Sequence, residues 1–191
     1  TDDRVDREEG AIEEACFRVM TLRAPVARDF RMLTFILKVN ADVEREADHS
    51  CSIAKVCLKL ADAPPPPWPT SLVELGQRGP MTCPALLRAM HDEDAAAAKE
   101  IVLDDKTIDR LNRRLFDEVL EFMGNPPPGA SEATTHATGL LLFRVGRELE
   151  RIGDLMTNIA EDIVYLATGE IIRHEKRRLR AERQRAEQKG R

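Results

Sequence analysis

Apolar residues recur at intervals of three and four along nearly the whole chain, which is the period of an amphipathic α-helix. The pattern predicts helices over about 2–22, 26–61, 85–123 and 131–168, with a further helix or frayed extension over 170–188. Prolines and glycines interrupt the pattern at Ala24-Pro25, over 63–84 and over 124–129, because proline lacks an amide donor and disfavours helix in the preceding residue. No strand-like alternation persists. The sequence therefore predicts an all-α protein.

The predicted helices form a hairpin that occurs twice. Residues 147–164 (RELERIGDLMTNIAEDIV) align without a gap on residues 41–58 (ADVEREADHSCSIAKVCL), and the segment that starts at Asp105 echoes the segment that starts at Asp2. An internal repeat of this kind predicts two similar helical units that bury their apolar stripes as bundles.

These boundaries divide the chain into four parts. We expect a first repeat over 1–62 that is truncated at its start, a proline-rich linker or remnant third helix over 63–84, a second repeat over 85–169 and a basic extension over 170–191. Within the second repeat, the long helix is expected to bend near His91-Asp92.

Composition narrows the class of protein. Of the 191 residues, 42% are hydrophobic and 33% are charged, as in an amphipathic helical protein. No uncharged run of about 18 apolar residues is present, so no membrane span is predicted. The net charge of −5 is uneven, because residues 173–191 hold nine Lys/Arg against three Glu and so carry +6. This basic tail is interpreted as a solvated helical extension, with contact to an anionic surface as the alternative.

Eight carboxylates occupy equivalent positions in the two predicted hairpins. Residues equally far from the turn of an antiparallel hairpin lie at the same height, so an i,i+4 pair on one helix faces a pair on the other. The first hairpin contributes Asp2, Asp6, Glu44 and Asp48, and the second contributes Asp105, Asp109, Glu150 and Asp154. Converging like charges need solvent, arginine or a cation to offset their repulsion. Oxygen-only ligands suit Mg²⁺, Ca²⁺, Mn²⁺ and clustered iron, and the spacing leaves both a solvated acidic face and a metal site open.

The sequence resembles a known family along residues 2–174. The run ELERIGDLMTNIAED at 148–162 resembles the signature of the PhoU family, GEIIRH at 169–174 is similar to that family's usual ending, and APVARDFR at 24–31 resembles its first interhelical turn. The resemblance implies two tandem three-helix-bundle repeats.

The resemblance also implies a function. Members of the family are cytoplasmic regulators of phosphate uptake and phosphate-starvation signalling. They bind the phosphate transporter ATPase and the sensor histidine kinase, repress the phosphate regulon when phosphate is plentiful, and reach the membrane only through these partners. The resemblance implies a homodimer that acts by binding other proteins and is not an enzyme. Nucleic-acid binding is not expected, because only the basic tail favours it and that tail lacks aromatic residues to stack on bases.

Metal is implied by the resemblance at the eight carboxylates named above, as an iron cluster or as manganese, magnesium or zinc. The first repeat departs from the family pattern: Lys55 stands where the second repeat has Glu161, and Ser52 stands where it has Asn158. The second hairpin is therefore the better expected metal site.

Two other classes of function stay open. Glu46-x-x-His49 matches half of a ferritin-type ligand set, which would suit a carboxylate-bridged metal oxidoreductase or a metal-storage protein. The second repeat has Leu155 in place of the histidine, so a hydrogen-bonded His49 is the expected outcome. The other class is a structural scaffold whose acidic face holds no metal. No glycine-rich phosphate loop and no nucleophile with a neighbouring base are evident.

Overall fold

The computed structural model describes residues 2–61 and 68–172, apart from the side chains of Asp2 and Asp105. This part of the chain folds into five α-helices and no strand, which confirms the all-α prediction. The helices are α1 (Asp2–Arg23), α2 (Ala27–Ala61), α3 (Thr70–His91), α4 (Ala95–Gly124) and α5 (Glu132–Thr168). The predicted extension over 170–188 lies outside the described residues beyond position 172.

Local chemistry fixes the boundaries of the second hairpin. The Asp94 carboxylate accepts hydrogen bonds from the amides of Ala96 and Ala97, and so caps the start of α4. The Ser131 hydroxyl accepts from the Thr134 amide at 3.1 Å and caps α5. Gly169 ends α5 at φ 76°, a conformation that glycine adopts without a Cβ penalty. The single helix predicted over 85–123 is divided in the structure: α3 ends at His91 and α4 begins at Ala95, so the position predicted for a bend is a break between two helices.

The linker prediction is wrong for residues 70–84, which belong to helix α3 and not to a loop. Pro80 and Pro84 lie inside this helix and both are exposed. The opposite face buries apolar side chains, namely Leu72, Leu75, Leu86 and Ala89. Burial of this face offsets the helix-breaking tendency of the prolines, so the alternative of a third helix in this segment is the one that forms.

Helices α3, α4 and α5 pack against one another as a three-helix bundle, α2 packs on α5, and α1 packs on α2. In this bundle, α3 covers the hairpin formed by α4 and α5, and it comes before that hairpin in the chain. One core cluster lies around Phe35, Ala98 and Ile163, and another lies around Val56, Leu115 and Leu142. A cavity of about 660 Å³ remains between α3 and the α4–α5 hairpin.

Helices α2 and α5 run antiparallel along the centre of the molecule. Lys38 Nζ contacts Asp162 Oδ1 at 3.0 Å, and His49 Nδ1 contacts Glu148 Oε2 at 2.7 Å, so position numbers rise along one helix as they fall along the other. The two helices also carry the matching segments of the sequence repeat, 41–58 in α2 and 147–164 in α5. The contact between α2 and α5 therefore has two ends, and the repeat makes the residues at one end equivalent to those at the other.

Candidate functional site

The first acidic group gathers carboxylates of α1 and α2. The pKa of the Glu44 carboxyl is raised by partial burial and then by the negative charges of Asp48, Asp6 and Glu9, against a lowering effect of Arg45. The Asn40 amide donates to the Glu9 carbonyl oxygen at 2.8 Å and joins the two helices at this height. The hairpin therefore brings Asp6 and Asp48 close enough to Glu44 to repel its charge, as the spacing predicts. The side chain of Asp2 lies outside the described part.

The second acidic group has a different electrostatic balance. The Glu150 carboxylate forms an ion pair with Arg147 one helical turn away. Asp109 and Asp154 are exposed, and the Asp109 carbonyl oxygen accepts a hydrogen bond from Arg113 at 3.3 Å. The side chain of Asp105 lies outside the described part. In this hairpin, arginine offsets part of the charge that a metal was expected to offset.

Neither group is a formed metal site in the described residues. No set of three or more His, Cys, Asp or Glu side chains in residues 2–61 and 68–172 is arranged to hold a metal ion. Carboxylate oxygens are suitable donors for a hard cation, and the repulsion at Glu44 is the feature that a cation would relieve. The acidic groups therefore have the right donor atoms for a hard cation, but the described side chains are not arranged around a common metal position.

One end of the α2–α5 contact buries carboxylates that sequence reasoning missed. Asp42, Glu161 and Asp162 are buried, and Lys38 pairs with Asp162 from the edge. Burial, and then the charge of Asp42, raises the pKa of Glu46 to about 7. These buried carboxylates lie within the repeated segments 41–58 and 147–164. Acidic residues occur on both faces of the predicted helices, so the sequence did not indicate which of them would be buried.

The other end of the α2–α5 contact is a cationic cavity of about 430 Å³. Its lining comes from both helices and consists of Asp48, His49, Ser52, Lys55, Arg147, Glu148 and Arg151. His49 is half-buried and pairs with Glu148, which confirms a hydrogen-bonded histidine. Sequence reasoning named Lys55 and Ser52 only as departures from the family pattern, and the fold is what places them opposite Arg147 and Arg151.

In the described residues, no helix is both long enough and apolar enough to cross a membrane.

The chain is similar to proteins of one family over most of its length. The family model described as PhoU domain matches residues 1–57 and 85–163. A relative from Deinococcus radiodurans, named phosphate-specific transport system accessory protein PhoU homolog, is 34% identical over 88% of this chain and 76% of its own length. A relative of the same name from Pseudomonas aeruginosa is 30% identical over 91% of this chain and 69% of its own.

Solved structures agree with the sequence comparisons. The crystal structure of PhoU from Pseudomonas aeruginosa superimposes with a TM-score of 0.80 at 29% identity, and the match covers 88% of this chain and 78% of that one. The phosphate transport system regulatory protein PhoU from Streptococcus pneumoniae gives a TM-score of 0.75 at 29% identity, covering 89% and 77%. Both repeats, the helical fold and the sequence signature therefore place this chain in the PhoU family.

Proposed function

We propose that this protein regulates phosphate uptake and phosphate-starvation signalling as an accessory protein of a phosphate transport system. Its membership of the PhoU family over both repeats carries this proposal, since its relatives are named phosphate-specific transport system accessory proteins. The partners we propose are the transporter ATPase and the sensor histidine kinase, with repression of starvation genes when phosphate is plentiful. The protein acts by binding these partners in the cytoplasm, as a homodimer, and not by catalysis.

The turn between α1 and α2 supports a protein partner. Leu22 and Val26 are 73% and 76% exposed, and Phe17 and Phe30 beside them are about half exposed. Helix α1 packs on α2 and makes no comparable contact with the other described helices. Several large apolar side chains on one exposed surface are typical of a protein interaction site. The surface belongs to the same hairpin as the first acidic group.

The regulatory role is tested by removing the protein from its cell. We expect a strain without it to express phosphate-starvation genes in phosphate-rich medium, because the repressing partner is lost. Transcript levels of those genes, compared with a strain complemented by the intact chain, measure this effect. Normal repression in the deletion strain would contradict the proposed function.

We also propose that metal ions bind the acidic groups, at Asp6, Glu44 and Asp48 together with Asp2, and at Asp109, Glu150 and Asp154 together with Asp105. The mutual repulsion at Glu44 supports the first group and the donor chemistry supports both. A bound hard cation would supply positive charge that offsets this repulsion. The binding of partners is attributed to the protein's own surface and does not require a metal.

Metal content tests this second proposal. Protein purified without chelator is expected to contain iron, manganese, magnesium or zinc, measured by mass spectrometry. The double substitutions Glu44→Ala/Asp48→Ala and Glu150→Ala/Asp154→Ala are each expected to remove a share of it, because they delete two oxygen ligands from one group. Asp117→Ala, at an exposed position of α4, is the matched control and should retain the metal. Equal content in all four proteins would contradict the proposal.

A further inference from the structure

The two ends of the α2–α5 contact carry opposite charge although the repeat makes them equivalent. At the acidic end, Glu161 is buried and the carboxylates of Asp42 and Glu46 lie close enough to interact. At the cationic end, Lys55 takes the place of Glu161 in the repeat, and Arg147 takes the place of Ala41. The same backbone arrangement therefore buries carboxylates at one end, where Arg45 pairs with Asp42 and Lys38 with Asp162, and lines a cavity with cations at the other.

The carboxylates of the cationic cavity are partly offset by fixed neighbours. Glu148 contacts His49 at 2.7 Å, and Arg144 lies 3.8 Å from its other oxygen. The second carboxylate of the lining is Asp48. Arg147 pairs with Glu150, which lies outside the lining, so the cations that face Asp48 are Lys55 and Arg151. The lining as a whole keeps a positive charge.

Lys55 and Arg151 account for this positive charge. Both are exposed and line the cavity, and neither is a member of an ion pair in the described part of the chain. They approach from different helices, and the Ser52 hydroxyl lies in the same lining. A guanidinium fork, an ammonium and a hydroxyl converging on one cavity provide the donors that bind a tetrahedral oxyanion.

We propose that this cavity binds a phosphate group, held by Lys55, Arg151 and Ser52. The group is either inorganic phosphate or the phosphate of a larger molecule such as a nucleoside diphosphate. The cavity of about 430 Å³ has room for either. The inference rests on the charges of α2 and α5. It does not depend on the proposed partners, since it is measured on the isolated chain.

Calorimetric titration of the chain with inorganic phosphate, in a phosphate-free buffer, tests the site. We expect saturable binding that Lys55→Glu and Arg151→Ala each weaken at least about tenfold, because each removes a charge-assisted hydrogen bond. Lys55→Glu also gives position 55 the same acidic residue that the second repeat has at the equivalent position, Glu161. Lys59→Glu is the matched control: it makes the same charge change on an exposed position of α2 outside the cavity, and should bind within about twofold of the original chain.

A second set of titrations distinguishes the two sources of the group. Adenosine diphosphate that binds at least about tenfold more tightly than inorganic phosphate, and is displaced by it, assigns the cavity to the phosphate of a larger molecule. Equal or weaker binding of the nucleotide assigns the cavity to inorganic phosphate. Circular dichroism confirms that each variant is folded. The proposal is overturned if neither compound binds, or if Lys55→Glu and Lys59→Glu weaken binding equally.

Discussion

Partial burial changes the acid chemistry of Glu46. Its pKa rises to about 7, first because burial disfavours the charged form and then because Asp42 is nearby. One of its carboxylate oxygens is buried without a hydrogen-bond partner among the described residues. Glu46 therefore holds its proton more tightly in the folded chain than in the unfolded chain, where the pKa is the ordinary 4.5.

This shift predicts a pH dependence of stability. Between pH 4.5 and about 7 the folded state binds more protons at Glu46 than the unfolded state, so the free energy of unfolding falls as pH rises through that window. Glu46→Gln removes this contribution. On going from pH 4 to pH 8, the free energy of unfolding of this variant should therefore rise by about 1–2 kcal/mol relative to that of the original chain, after allowance for solvent screening.

Urea denaturation of both proteins at several pH values measures this difference. Glu13→Gln, at an exposed position of α1, is the control and should follow the pH profile of the original chain. An identical profile for Glu46→Gln would contradict the assignment of the shift to this carboxyl.

The acidic residues show how far sequence reasoning reaches at the scale of single residues. The i,i+4 spacing and the hairpin geometry predicted that Asp6 and Asp48 lie near Glu44, and the charges of both raise the pKa of Glu44 in the folded chain. The burial of Asp42 and Glu161 was not predicted. Helical spacing determines which residues share a face, but the packing of α2 on α5 determines which face excludes water.

At the scale of helices, glycine sets the approach of α4 to α5. Gly139, Gly146 and Gly153 are spaced seven residues apart and face α4. A Cβ on Gly146 would lie 2.0 Å from Leu115 Cδ2, and a Cβ on Gly153 would lie 2.4 Å from Ile108 Cδ1. The first repeat has Ala47 in place of Gly153, so this close approach belongs to the second hairpin.

Substitution of Gly146 by alanine should therefore destabilise the fold. Leu115 is fully buried and its Cδ2 would lie 2.0 Å from the added methyl group, so the substitution overpacks the core. We expect a net loss of about 1–2 kcal/mol in the free energy of unfolding, although alanine favours helix by about 1 kcal/mol. Urea denaturation measures the loss.

Gly10→Ala is the matched control for this substitution. Gly10 lies within α1, and a Cβ added there would meet no atom within 4 Å, so alanine should stabilise the chain by up to about 1 kcal/mol. A stabilising effect at both glycines would show that α4 and α5 are not held at the close distance described.

Helix α3 is the element that local helix propensity failed to predict. Two internal prolines and two glycines predicted a linker, since each disfavours helix. The helix forms because Leu72, Leu75 and Leu86 reach the surface of the α4–α5 hairpin, and their burial provides more free energy than the prolines cost. No local pattern in the segment reports that a complementary surface exists elsewhere in the chain.

At the scale of the whole molecule, the repeat yields an unequal pair of hairpins. One hairpin is covered by α3 and packs closely through glycines, whereas α1 of the other hairpin packs on α2 alone among the described helices. The α2–α5 contact between them is acidic at one end and cationic at the other. Similar sequences therefore form two ends of one helix contact that differ in charge and in burial.

The sequence by itself determined the all-α class, the repeated hairpin, the approach of Asp6 and Asp48 to Glu44, and the family. These follow from the helical period and from residue spacing along a single helix, which the chain encodes locally. Only the tertiary structure decided that residues 70–91 are helical, that Asp42 and Glu161 are buried, and that Lys55 meets Arg151 across a cavity. These features depend on contacts between distant segments, which hydrophobic burial selects for the molecule as a whole.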